Sequence, residues 1–145
     1  VNEFLALFTR AAKVMRSAAD EAMSRHGVRV GQNLVLELLW ERDGLTPGEL
    51  AERLRIAKPT AVKSAIRMEA AGLVRRQRDH DDRRLVRLYL TEHARTIRAA
   101  IEAERGELER RALKSLSRQE RESLLRALTK IVREFGDEAR RSDLV

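Results

Sequence analysis

Four hydrogen-bonding side chains, Thr60, Lys63, Ser64 and Arg67, recur at steps of i, i+3, i+4 and i+7. That spacing aligns them along one face of a helix. Hydroxyls and cations at such intervals offer no nucleophile paired with a base. Their shared chemistry is donation to phosphate oxygens and base edges. Just downstream, RRQRDHDDRRLVRLYLT (residues 75–91) sets six arginines and three aspartates in seventeen residues. Arg75, Arg78, Arg83 and Arg84 are spaced to reach phosphates or a narrow minor groove, where negative potential is greatest. Asp79 and Asp82 repel a polyanion on their own. Paired with Arg83 or Arg84, they would hold a guanidinium still and lower the entropy lost on contact. Thr46, Lys58 and Pro59, at the starts of the two helices involved, complete the candidate contact set.

The charge balance supports this chemistry. The chain has 145 residues and a formal net charge of +7. Nine lysines or arginines and four acids lie between Lys58 and Arg87, giving +5 in thirty residues and leaving +2 for the rest. A surface tuned only for solubility has no reason to concentrate charge in this way, whereas a phosphate-binding face does. No apolar run is long enough for a membrane span and no signal-peptide core opens the sequence, so the expectation is a cytoplasmic protein without membrane contact. The absence of cysteine excludes disulfides, thiolate metal sites and thiol redox sensing.

The elements that must position these residues follow from periodicity. Apolar residues from Phe4 to Ala22 predict a helix over 3–26, stopped at Gly27. Leu34, Val35, Leu38 and Leu39 predict a second over 31–42. Thr46, Pro47 and Glu49 form a capping box that opens a short helix over 47–54. A helix over 58–71 ends at Gly72. On it Ala61, Ala65 and Met68 share one face, and Val62 and Ile66 are expected to widen that face. Two strands, 73–77 and 85–90, make a hairpin with a polar loop. Thr91 caps a long helix to about 115. SRQE at 117–120 is a second capping box, opening a last helix with Leu124, Leu125, Leu128, Ile131, Val132 and Phe135 on one side. Residues 138–145 are expected to fray. Short helix, tight turn, second helix and hairpin make a winged helix-turn-helix.

ELAERLRIAKPTAVKSAIRMEAAGLVRRQRDHDDRRLVRLYLTEHAR (residues 49–95) resembles the signature of the MarR family of bacterial regulators. The matches include Leu50-Ala51, Pro59-Thr60, Glu69, Gly72-Leu73, the Arg78-Asp79…Asp82-Arg83-Arg84 wing and Leu90-Thr91-Glu92. GVRVGQNLVLELL (27–39) and LSRQERESLLRAL (116–128) are similar to flanking helices of the family. The resemblance implies a mainly α fold with a small β-hairpin, in one MarR-like domain over 1–145. Its winged helix-turn-helix lobe would cover about 31–92, flanked by dimerisation helices at about 3–26 and 92–138. It further implies a homodimer on a pseudo-palindromic double-stranded operator, acting as a repressor released by a small-molecule effector of phenolic or aromatic type. Phe8, Arg10, His26, Asn33 and Trp40 are candidate lining residues for the effector pocket.

Four departures from the family pattern bear on the site. Ala57 replaces a frequent capping serine. Ser64 and Ala65 are smaller than the usual apolar pair, while apolar Val62 and Ile66 stand at normally polar positions. Either the helix is rotated onto its core, the favoured reading, or Val62 touches a thymine methyl. His80 replaces the usual wing proline, and Ala94 a common glycine. The three histidines are scattered, so neither a metal nor a cofactor is expected, and no catalytic motif stands out. The competing reading is a helical protein-interaction adaptor whose basic hairpin meets an acidic partner.

Overall fold

A computed structural model describes residues 2–142, with side chains described through residue 136. It is mainly helical with one antiparallel hairpin, as expected. The order is α1 (Glu3–Ser24), α2 (Gln32–Glu41), α3 (Pro47–Leu54), α4 (Lys58–Ala70), β1 (Val74–Arg78), β2 (Val86–Leu90), α5 (Glu92–Thr96), α6 (Arg98–Leu113) and α7 (Arg118–Ser142). Two compact units are present, Val1–Leu108 and Glu109–Val145, and α6 crosses the boundary. The end expected to fray is helical in its backbone to Ser142, and residues 143–145 lie outside the described residues.

The first unit is built around one apolar cluster. Met23, Val28, Leu36, Leu39, Leu45, Leu50, Met68, Leu73, Leu88, Ala94 and Ile101 are all buried in it. The seam of α2 differs from the sequence pattern. Leu36 is fully buried and Leu34 is exposed, because Val35, Leu36 and Leu39 form the stripe that faces the core. In the hairpin, Val74 pairs with Leu90 and Arg78 with Val86. Leu45 adds a bridge on the other edge of β2: Leu88 N–H donates to Leu45 O and Gly44 N–H donates to Leu88 O, both at 2.9 Å. The α2–α3 connection is thereby stitched to the wing.

The long helix expected from Thr91 to about 115 is divided at Ile97. The Thr96 hydroxyl donates to His93 O at 2.8 Å. Ile97 N–H also donates to His93 O, at 3.1 Å, so that carbonyl is shared between the ladder and the hydroxyl. Thr91 fastens the start. Its Oγ1 accepts from Ala94 N–H at 3.1 Å and donates to Gly72 O at 2.6 Å, joining the hairpin base to the end of α4.

In the second unit, Ser117 and Glu120 form the expected capping box, with both bonds at 3.1 Å. The apolar face of α7 is largely open: Leu124, Leu125, Val132 and Phe135 are exposed. In the first unit, Phe4, Leu5, Leu7, Phe8, Val14 and Met15 are likewise exposed on α1. No helix of the described residues is long and apolar enough to cross a membrane.

Candidate nucleic-acid interface

The α3–turn–α4 unit forms for local reasons. Thr46 Oγ1 accepts from Glu49 N–H at 3.1 Å and Glu49 Oε2 accepts from Thr46 N–H at 3.0 Å, a complete capping box with Pro47 at the first turn. Arg55 ends α3 in the left-handed conformation at φ 55°, which turns the chain into α4. Ala61, Ala65 and Met68 bury the inner stripe of α4. Two alanines let the backbones approach closely, so the stripe is narrow.

That narrow stripe corrects part of the expected contact face. Val62 and Ile66 do not widen the core; both are exposed on the outer side. Ser64 is half-buried and its hydroxyl faces Met68 Sδ at 3.8 Å, so it turns inward rather than outward. Thr46 is only 8% exposed and its hydroxyl is engaged in the cap, which withdraws it from the contact set. Lys58, Pro59, Thr60, Lys63 and Arg67 are exposed.

The wing is more tightly organised than its composition suggests. Asp79 accepts from Asp81 N–H and Asp82 N–H at 3.1 and 2.8 Å, closing the loop, and pairs with Arg87. The expected partners of Asp79, Arg83 and Arg84, are thus replaced by a cation eight positions away across the hairpin. The Arg87 bond first, then the Asp82 amide, hold the Asp79 carboxyl below the usual carboxylate range. Arg87 also donates to Gly44 O at 2.9 Å, anchoring the wing to the α2–α3 connection. Asp82 does pair with Arg84, as expected, through two bonds of 3.1 and 3.2 Å. The Arg84 guanidinium lowers the Asp82 pKa, and the Arg84 side chain itself stays 90% exposed.

Arg78 reaches across the loop to donate to Arg83 O at 2.7 Å. Arg75 lies over the Tyr89 ring at 5.1 Å and donates to Gln77. Arg76, absent from the candidate set, ties β1 to α4: its N–H and Nε donate to the two Glu69 oxygens at 2.9 and 3.0 Å. Asp43, also missed, accepts from Leu90 N–H and pairs with Arg95 at 3.2 Å. Among the described residues, Lys58, Lys63, Arg67 and Arg83 make no ion pair.

The five candidate pocket residues are not gathered into one cavity. Phe8 is exposed and stacked on Phe4, with centroids 5.6 Å apart. Arg10 is exposed. His26 meets Glu104 at 3.1 Å, beside Arg25. Asn33 accepts from Gly31 N–H at 3.0 Å, a turn-forming role. Trp40 is half-buried; its indole N–H donates to Ala94 O at 3.1 Å. It lines an open cavity of about 370 Å³ with Leu39, Asp43, Leu90, Arg95 and Arg98. Among the described residues, no group of three or more histidines and carboxylates gathers as a metal site would require.

A capped short helix, a left-handed turn, a second helix with outward cations and an anchored β-wing define a winged helix-turn-helix protein. The MarR family model matches residues 30–86, over the winged helix-turn-helix, and the chain is similar to that family there. It is 35% identical over 92 residues to the HTH-type transcriptional regulator TtmR of Methylorubrum extorquens, covering 63% of this chain and 47% of that protein. The chain thus spans about half the length of that relative. It is 26% identical over 131 residues to the regulator MgrA of Staphylococcus aureus, covering 90% of this chain and 88% of MgrA. A crystal structure of the S. aureus MepR–DNA complex superposes with a TM-score of 0.78 at 26% identity, covering 93% of this chain and 99% of MepR.

Proposed function

We propose that this chain is a MarR-type transcriptional regulator that binds double-stranded DNA in the cytoplasm as a homodimer on a pseudo-palindromic operator. In this reading α4 enters the major groove, with Lys58, Pro59, Thr60, Lys63 and Arg67 at bases and phosphates. Arg75, Arg78, Arg83 and Arg84 follow the backbone or minor groove, with Asp79 and Asp82 as wing supports. The observation that carries it is a group of exposed cations on α4 and the wing that make no ion pair among the described residues: Lys58, Lys63, Arg67, Arg75, Arg78 and Arg83. Cations kept free of carboxylates are available to displace the counterions of a phosphate backbone.

The homodimer is supported by the apolar faces left open on α1 and, separately, on α7, where Phe135 is 69% exposed. Such faces suit an isologous interface. Repression and release by an effector extend the family resemblance. The Trp40 cavity is the candidate place for an aromatic anion, with the Arg98 guanidinium over the indole ring as its cation and Arg95 held there by Asp43. Ligand binding would favour a spacing of the two lobes that fits the operator poorly.

The test is selection from a random duplex pool, then footprinting of the selected sequence and of the gene's own upstream region. Expected are two protected half-sites about one helical turn apart and a dimer by sedimentation. Phenolic acids are expected to weaken the complex. Binding that ignores sequence would overturn the regulator reading and favour the adaptor.

A further inference from the structure

Val62 and Ile66 are large apolar side chains, 37% and 47% exposed on the contact side of α4. On a helix of about 100° per residue, Pro59, Val62, Lys63 and Ile66 share one arc. It faces away from the buried Ala61, Ala65 and Met68. Lys63 lies at the seam between this apolar strip and the polar strip of Thr60 and Arg67. An apolar strip flanked on one side by unpaired cations is poorly matched to water and to an acidic protein surface alike. It does match a major groove, where phosphates line the walls and the thymine C5-methyl is the apolar group exposed on the floor.

We propose that Val62 and Ile66 are specificity-determining residues that read thymine methyl groups in each operator half-site, with Pro59 extending the same strip. The inference rests on the DNA-binding reading above. Side chains at i and i+4 stand roughly 5–6 Å apart, and base pairs along the duplex roughly 3.4 Å. The two residues therefore span one to two base-pair steps, which calls for two thymines adjacent or separated by one pair. Lys63, beside them, donates to a neighbouring guanine or phosphate. Shape selection also follows: a hydroxyl or charge at position 62 or 66 would be held against a methyl and lose its water.

The experiment changes the DNA rather than the protein. The half-site obtained by selection is resynthesised with deoxyuridine in place of each thymine in turn, which removes only the methyl group. Wild-type protein is expected to lose about fourfold in affinity for each methyl read, the value of one buried methyl, at no more than two thymines per half-site. Val62→Ala is expected to abolish the deoxyuridine effect at one of these positions and Ile66→Ala at the other. A variant that merely lost stability would retain both. Sequence-selective binding with no penalty at any deoxyuridine overturns the methyl readout and leaves the regulator reading standing. Failure of selection to yield any preferred sequence overturns both.

Discussion

Gly44 is the residue whose replacement most directly tests the anchoring of the wing. It sits at φ +80°, and a Cβ added there would lie 2.9 Å from Tyr89 Cε1 and 3.3 Å from Cζ. Two costs follow for Gly44→Ala. Holding an alanine in the left-handed region costs about 1–2 kcal/mol. Relieving the contact requires Tyr89 to move from beneath Arg75, which lies 5.1 Å from the ring centroid. Losing that cation–π contact costs about 0.5–1 kcal/mol. The sum is a destabilisation of about 1.5–3 kcal/mol, read as a lower urea midpoint at unchanged slope.

Gly72→Ala supplies the control. Its φ is +75° and no atom lies within 4 Å of the added Cβ, so it bears the backbone cost alone. In a Tyr89→Ala background, Gly44→Ala is expected to fall to the level of the control. Equal destabilisation by Gly44→Ala and Gly72→Ala in the wild-type background would refute the claim that Tyr89 closes over Gly44.

Three further outcomes are expected. Ala57→Ser should stabilise the protein by about 0.5–1 kcal/mol, since α4 has no side-chain cap. Pro59 has no N–H, so the new hydroxyl must use Thr60 N–H, already bonded to Ala57 O at 3.0 Å; an unchanged thermal midpoint would count against this. Arg84→Ala should flatten the dependence of log affinity on log salt by about 0.9 per lost phosphate contact, or about 1.8 for a two-fold dimer. A wild-type slope would remove Arg84 from the interface. Asp79→Asn tests the pH sign. The folded-state pKa of Asp79 is depressed by Arg87, so its contribution is present above the unfolded carboxylate pKa, about 3.9, and is lost as pH falls through the lower folded value. The stability gap between wild type and Asp79→Asn should therefore be full near neutrality and close in acid; a gap independent of pH would argue for a purely steric role.

What was legible in the sequence was local. The Thr46–Glu49 and Ser117–Glu120 boxes, the extent of α3 and the hairpin follow from residues a few positions apart, and the structure reproduces them. The Asp82–Arg84 pair was readable for the same reason. The inner face of α4, Ala61, Ala65 and Met68, was readable as well, but its width was not, because a wheel fixes relative angles while the neighbour decides how broad an arc is covered. Here the neighbour admits two alanines and a methionine, leaving Val62 and Ile66 outside. Arg87 and Asp43 escaped because their partners are remote: Arg87 bonds Gly44 and Asp43 bonds Leu90. The division at Ile97 was not readable, because the apolar seam continues through it.

The internal pairing of the wing has a kinetic corollary. Residues 78–87 hold four arginines and three aspartates, a net charge of +1. Beyond the screening length of about 8–10 Å in physiological salt, such a cluster exerts little pull. Under the proposed DNA-binding reading, capture of the polyanion would be governed by Lys58, Lys63, Arg67 and Arg75, while the guanidinium groups of residues 78–87 would act only after arrival. Changes to the wing arginines should accordingly shorten the lifetime of a complex far more than they slow its formation.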